Sequence, residues 1–184
     1  MKATGIVRRI DDLGRVVIPK EIRRTLRIKE GDPLEIFTDK EGEVILKKYS
    51  PIGELSEFAS EYAETLTKTT GHIACITDKD TVIAVSGASK KEWLEKGISN
   101  ELERIMEDKE NYVSKENNNV AVPITQNETR DKIYNAQVIY PIISEGNAIG
   151  SVILLSKDPK TKMTEVEQKV AQSAANFLGK QMEI

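Results

Sequence analysis

The sequence is poor in the residues on which catalysis, metal binding and covalent cross-linking depend. Cys75 is its only cysteine and His72 its only histidine among 184 residues. One cysteine excludes an intrachain disulfide, and a lack of cysteine pairs is typical of a reducing cytosol. Neither a metal-ligand spacing nor a glycine-rich phosphate loop occurs in the sequence. We therefore expect no cofactor, no metal and a cytoplasmic location.

His72 and Cys75 are the pair that could serve as a base and a nucleophile. They stand three residues apart in a strand-like run, and this offset places two side chains on opposite faces of a strand. We interpret Cys75 as a small buried hydrophobic residue and His72 as a surface or helix-end residue. The sequence predicts no catalytic residue and no enzyme.

Long hydrophobic runs are also missing. The longest apolar stretch, residues 149–155, is far shorter than the roughly 18 to 20 residues that span a bilayer. Charged residues between Arg8 and Asp12 interrupt the N-terminus before the apolar segment of a secretory signal could form. We expect neither a membrane span nor a secretory signal.

Charge is distributed unevenly along the chain. Residues 1–29 carry nine basic and three acidic residues, a net charge of +6, whereas the whole chain carries −3. Residues 30–184 therefore carry −9. A basic head on an acidic body favours a module that binds a polyanion, joined to a domain that avoids it. Charge alone leaves both nucleic acid and a membrane surface open.

The head, residues 1–50, contains four strand-like runs and one short helix. The strand-like runs are Thr4–Ile10, Val16–Ile18, Leu34–Thr38 and Val44–Lys48. Pro19 fits the first turn of the helix, which Gly31-Asp32-Pro33 stops. The polar turn Asp39–Gly42 joins the last two strands in a hairpin. The predicted order is β-β-α-β-β.

A unit of about 50 residues buries too little surface to be comfortably stable on its own. The head has no cysteine or histidine, and therefore no residue for a stabilising disulfide or a thiolate or imidazole metal site. Its apolar strand faces must be covered by a second copy or by the body, and a two-fold dimer is the commoner solution. We predict an interleaved homodimer.

Three segments of the head occur in the order of a known family: residues 2–10, residues 13–19, and residues 21–26 with their paired arginines. They resemble the AbrB swapped-hairpin DNA-binding domain. That family forms intertwined dimers whose loop and helix arginines contact duplex DNA. The resemblance implies DNA contacts at Arg8, Arg15, Arg23 and Arg24, with Arg9 and Lys20 as weaker extensions of the set.

Arginine suits both parts of DNA recognition, because its guanidinium pairs with phosphate oxygens and with the guanine edge. The short helix favours reading of groove shape and degenerate target sites over a strict base code. It is also too short for a membrane-surface helix. Phe37 and Tyr49 are the only aromatic residues of the head, which disfavours stacking of single strands. We expect double-stranded DNA as the partner and a nucleoid-associated location.

The body, residues 56–184, follows a linker predicted over residues 51–55 by the breaker cluster Pro51-Ile52-Gly53. Apolar spacing predicts a first helix from Leu55 to Gly71, a second over Leu94–Ile105 and a last one capped by Thr164 and Glu167. The predicted strands are Ile73–Thr77, Thr81–Val85, Val120–Ile124, Ala136–Ile143 and Ala148–Leu155, with a loop at Asn117–Asn119 and a hairpin turn at Ser144–Asn147. This order describes an α+β sandwich.

The predicted hairpin over residues 136–155, with Gly146 and Gly150, is similar to the penultimate hairpin of GAF domains. That resemblance implies a sheet with helices on one face, a small ligand on the other in many members, and terminal helices that dimerise. No ligand-binding residue is assigned. We expect a homodimer, a homotetramer as the larger assembly, and room for an unidentified small-molecule effector.

Head and body together resemble transcriptional regulators of spore-forming bacteria. The leading hypothesis is a DNA-binding activator or repressor of sporulation genes whose body oligomerises or senses a small molecule. The alternative is an antitoxin-like binding protein, because the same swapped-hairpin head occurs in proteins that neutralise toxins. Antitoxin tails are short and disordered until bound, whereas this body has enough apolar periodicity to fold alone.

Overall fold

The computed structural model describes residues 5–52, 56–114, 120–128 and 134–183. Several predicted features lie outside these residues: Thr4 of the first strand, Gly53 of the linker, Leu55 of the first body helix and the loop Asn117–Asn119. The chain consists of two compact units, Met1–Tyr49 and Ser50–Ile184. The first unit corresponds to the head, and the second contains the body together with the residues just before it.

The second half of the head folds as its local sequence predicts. Helix α1, Lys20–Thr25, begins after Pro19, whose carbonyl accepts the N–H of Arg23 at 2.9 Å. Strands β1, Leu34–Thr38, and β2, Val44–Lys48, pair antiparallel in the predicted hairpin.

The first half of the head, residues 5–18, forms neither a helix nor a strand within the single chain. The strands predicted over 4–10 and 16–18 are absent among the described residues, because a strand exists only where another strand takes its backbone hydrogen bonds. Apolar side chains in this region are strongly exposed: Val7 is 86% accessible and Val17 69%. Such exposure favours cover from another chain.

The body contains one antiparallel sheet in the order β4-β3-β7-β6-β5. Its elements are α2 (Ser56–Thr70), β3 (Ile73–Asp78), β4 (Val82–Ser86), α3 (Lys90–Trp93), α4 (Asn100–Asp108), β5 (Tyr112–Val113), β6 (Ala136–Ser144), β7 (Asn147–Ser156) and α5 (Glu165–Gln181). Thr164 and Glu167 form the predicted capping box of α5. The predicted α+β sandwich is confirmed.

Each face of the sheet carries its own core. Helices α2 and α5 cover one face with small residues, and a Cβ on Gly179 of α5 would lie 2.2 Å from the Ile143 carbonyl oxygen of β6. Ile52 is fully buried in this core, and the Ser50 hydroxyl donates to Asp78 at 2.9 Å. Helix α4 and the residues around Trp93 cover the opposite face.

Two predicted elements of the body are wrong. Of the helix predicted over 94–105, only the part from Asn100 is helical, as α4, and residues 94–99 connect α3 to α4 without forming a helix. Glu95 in this connection adopts φ +61°, and Ser99 caps α4 by accepting the N–H of Leu102. The strand predicted over 120–124 is an irregular segment. Its Val122 donates to and accepts from the side-chain amide of buried Gln137 on β6, at 2.9 Å each, in place of a neighbouring strand.

Candidate nucleic-acid interface

The six basic residues predicted to contact DNA lie in three places on the head. Arg8 and Arg9 precede the turn at residues 11–14, Arg15 follows it, and Lys20, Arg23 and Arg24 are on α1. Positions i, i+3 and i+4 of a helix share a face, so the three residues of α1 lie together. Five of the six are exposed, and Arg23 is half-buried.

Arg23 has the most unusual environment of the six. Its Nε is buried and makes no hydrogen bond within the described residues. An unpaired buried donor is costly, so an acceptor supplied by another molecule would stabilise this nitrogen.

Arg15 is held by the turn that precedes it. Its Nε donates to Oδ2 of Asp11 at 2.9 Å, and its backbone N–H donates to Oδ1 of the same carboxylate at 2.8 Å. These two bonds keep the pKa of Asp11 below its ordinary value, and the bond from the Arg15 backbone has the larger effect. Sequence reasoning did not find the role of Asp11, although an aspartate four residues before an arginine was a visible signal.

His72 and Cys75 do not form a catalytic pair. Cys75 is fully buried in the core under α4, and burial raises the pKa of its thiol strongly, with the Glu128 carboxylate adding to the effect. The His72 Nε2 lies 3.9 Å from Oε1 of Glu167 on α5, which packs on the other face of the sheet. A buried, protonated thiol is unreactive.

The face under α4 contains a polar group that sequence reasoning missed. Glu128 accepts the Tyr134 hydroxyl at 2.6 Å and the Ile124 N–H at 2.8 Å, so both of its oxygens are bonded. Burial, and then the bond to Glu128, raise the pKa of Tyr134. The Tyr134 ring lies 6.0 Å from that of Trp93, and both side chains are buried core residues.

Helices α2 and α5 expose a cluster of aromatic rings. Phe58, Tyr62 and Phe177 have centroids 5.8 to 6.0 Å apart, and Phe177 remains 43% accessible. We call these three residues the aromatic patch. Val166 and Val170 of α5 also line an open groove of about 450 Å³. Rings that pack together while staying exposed are typical of an interaction surface.

The described part of the chain holds no group of three or more His, Cys, Asp or Glu residues placed to bind a metal. Within the same residues, no helix is both long and apolar enough to cross a membrane.

Family models match both parts of the chain. Residues 54–183 match the model described as stage V sporulation protein T C-terminal, transcription factor. Residues 7–54 match the model described as antidote-toxin recognition MazE, bacterial antitoxin.

Similar proteins include relatives of the whole chain and of its parts. Stage V sporulation protein T of Bacillus subtilis (strain 168) is 55% identical over 183 residues, which cover 100% of this chain and 99% of that protein. The transition state regulatory protein AbrB of the same strain is 67% identical over 51 residues, 28% of this chain and 52% of AbrB. The GAF domain of an Acinetobacter phosphoenolpyruvate-protein phosphotransferase covers 70% of this chain and 81% of its own, at 14% identity and a TM-score of 0.53.

These findings confirm an AbrB-type head and a GAF-like body. The matched family has the role of a transcription factor, which is not an enzymatic one. Because its model covers well over half of the chain, and the sporulation protein is 55% identical along the full length, the chain belongs to the stage V sporulation protein T family of transcription factors.

Proposed function

We propose that the chain regulates sporulation genes by gripping duplex DNA with basic residues from two heads. The observation that carries this proposal is the 55% identity to a sporulation protein along the full length. We propose residues 1–50 as the DNA-binding domain, 51–55 as a linker and 56–184 as the oligomerisation and sensing domain. Binding to chromosomal DNA would place the protein in the cytoplasm, at the nucleoid.

Arg8, Arg9, Arg15, Lys20, Arg23 and Arg24 are the proposed DNA-contacting residues. Exposed guanidinium and ammonium groups neutralise phosphates and release condensed counterions. Two heads double this set, so we expect affinity to fall steeply with salt. Arg23 is half-buried, and its buried Nε has no hydrogen-bond partner within the described residues, which supports a need for an acceptor from outside the single chain.

A second copy of the head is the proposed cover for its exposed apolar residues. Val7, Ile10 and Val17 are each more than two-thirds accessible. Antiparallel pairing with the corresponding segments of a partner would satisfy their backbone groups and bury these side chains together. A fragment of residues 1–55 is expected to sediment as a dimer, and a folded monomer would contradict this pairing.

A second copy of the body is the proposed partner of the aromatic patch, which would convert dimers into tetramers. Phe177→Ser is expected to reduce the mass of the full chain in sedimentation from tetramer to dimer, with duplex binding retained. Leu94→Ser is the matched control, because Leu94 is 37% accessible at another place on the body. Equal masses for the two variants would remove the patch from the proposed interface.

Small-molecule sensing by the body is the least specified part of the proposal. Its support is the GAF fold, and no ligand-contacting residue is assigned. Thermal unfolding of the full chain with a library of small metabolites is the direct test, because a ligand that binds only the folded state raises the melting temperature.

The central experiment is a fluorescence anisotropy titration of a labelled duplex with the full chain. Arg15→Ala and Arg23→Ala are expected to weaken binding while the dimer persists, and each to reduce the salt slope by roughly 1 per lost phosphate contact. Arg104→Ala removes the same charge from an exposed site on α4 of the body. Binding unchanged by the head variants, or weakened equally by the body variant, would overturn the proposal.

An antitoxin-like binding protein is the second candidate, favoured by the match of residues 7–54 to an antitoxin model. An antitoxin tail folds when its toxin binds, so its amides exchange rapidly in the free protein. We expect the body to have protected amides in β3, β6 and β7 without any partner. Uniformly fast exchange over the body would favour the antitoxin.

A further inference from the structure

The turn before Arg15 is built around one carboxylate. Asp11 Oδ1 accepts the backbone N–H of Leu13 at 3.0 Å and of Arg15 at 2.8 Å. Gly14 adopts φ +75° and donates its N–H to the Asp11 carbonyl at 3.0 Å. The bonds to Oδ1 need only an acceptor oxygen, which an asparagine would also supply.

The turn between β1 and β2 has the same construction. Asp39 Oδ1 accepts the N–H of Glu41 at 3.0 Å and of Glu43 at 2.8 Å. Gly42 adopts φ +85°, and its N–H donates to the Asp39 carbonyl at 3.4 Å. The head thus contains the sequence pattern Asp-x-x-Gly twice, with matching hydrogen bonds.

The two turns differ in the residue after glycine. In the first turn this residue is Arg15, and its Nε donates to the second carboxylate oxygen, Oδ2 of Asp11, at 2.9 Å. In the second turn it is Glu43, an acceptor that repels the carboxylate of Asp39. The second carboxylate oxygen of Asp11 is thus paired with the residue after glycine, whereas at Asp39 that residue carries a negative charge.

We infer that Asp11 is a positioning residue for DNA recognition, which fixes the Arg15 guanidinium through Nε–H and leaves the four Nη hydrogens as a fork for the DNA. This inference rests on the proposed function of Arg15. A guanidinium ordered in advance loses less conformational freedom on binding. The two Nη groups have the geometry that pairs with guanine O6 and N7. By holding them in place, Asp11 would increase the preference of the protein for particular DNA sequences.

The inference predicts opposite effects on two kinds of DNA. The Asp11 charge repels phosphates, so Asp11→Asn alone raises affinity for DNA of random sequence. The same change frees Arg15 and weakens binding where the guanidinium reads a base. The ratio of specific to non-specific affinity therefore falls, by roughly threefold to tenfold for the ordering of one side chain.

The experiment compares two duplexes with the full chain: one of random sequence and one enriched from a random pool by the unmodified protein. Asp39→Asn is the matched control, since it removes the same charge from the equivalent turn and retains an acceptor for both backbone bonds. Asp12→Asn controls for charge within the first turn. Melting temperatures confirm that each variant is folded.

An Arg15→Ala background separates positioning from a general structural role. There, Asp11→Asn is expected to leave the affinity ratio unchanged. In the otherwise unmodified chain, the Arg15 Nε–Hε NMR signal is expected to exchange faster with water after Asp11→Asn. Equal ratios for Asp11→Asn and Asp39→Asn, or an equal loss without Arg15, would overturn the inference. If Arg15→Ala alone leaves duplex binding intact, the proposed role of Arg15 fails as well.

Discussion

Thr77 and Ser151 form a hydroxyl pair at the centre of the body sheet. They are partners in the β3–β7 register, Thr77 Oγ1 and Ser151 Oγ lie 2.7 Å apart, and both residues are fully buried. Thr77→Val keeps the shape of the side chain but removes the hydroxyl, so the Ser151 hydroxyl loses its hydrogen-bond partner. An unsatisfied buried hydroxyl costs about 1–3 kcal/mol, so we expect the free energy of unfolding of the body to fall by that amount.

Removing the second hydroxyl should recover part of this loss. When both partners of a buried hydrogen bond are replaced by apolar groups, the net effect approaches neutral. Thr77→Val combined with Ser151→Ala is therefore expected to cost less than the two single changes added together. We expect an interaction energy of about 1 kcal/mol, in the range found for residues in contact.

Trp93 makes the measurement selective for the body. It is the only tryptophan of the chain and is 5% accessible in the core under α4. Its fluorescence during urea unfolding reports the body, at one fixed protein concentration because assembly contributes to stability. A double variant that costs the sum of the single variants would refute the reasoning, since the hydroxyls would then not depend on each other.

Three further predictions concern the same domain. Gly179→Ala is expected to destabilise the body by about 1–3 kcal/mol in the same urea assay, because its Cβ would meet the backbone oxygen of Ile143. Burial tends to raise the pKa of Glu167, but hydrogen bonds from Thr164 outweigh it and hold that pKa below the ordinary 4.5. The stabilisation by the cap is thus fully present above pH 4.5 and is lost as pH falls through the lower pKa of the folded state. In the Glu167→Gln variant, the free energy of unfolding should therefore depend less on pH in this range. Cys75 should react with iodoacetamide only on unfolding, because burial raises the pKa of its thiol.

Elements set by local sequence were predicted closely. The hairpin Leu34–Thr38 and Val44–Lys48 has the predicted boundaries, because alternation and a glycine turn define it within fifteen residues. The capping box of α5 likewise depends on two residues three apart, Thr164 and Glu167. In both cases the stabilising contacts join residues that are neighbours in the sequence.

Elements that depend on distant partners were not predictable. Nothing near Glu95 shows that it adopts a positive φ and separates α3 from α4. The side chain of Gln137 takes the backbone hydrogen bonds of Val122 that a neighbouring strand would otherwise make. The two residues are fifteen positions apart, and the polar character of Gln137 does not reveal this contact in the sequence. The first half of the head has the apolar pattern of strands, but no strand forms among its described residues, and side chains such as Val7 and Val17 stay exposed in the single chain.

The two Asp-x-x-Gly turns separate the part of the sequence that folds the head from the part that acts. Aspartate and glycine occupy matching positions and make matching backbone bonds, so both turns form by the same local rule. The residue that follows glycine is free of this rule, because only its backbone N–H is needed by the turn. At position 43 this residue is a glutamate. At position 15 it is an arginine, which donates a hydrogen bond to the second carboxylate oxygen of the turn aspartate. A structural carboxylate can thus acquire a second role in recognition through a single basic neighbour, without any change in the fold.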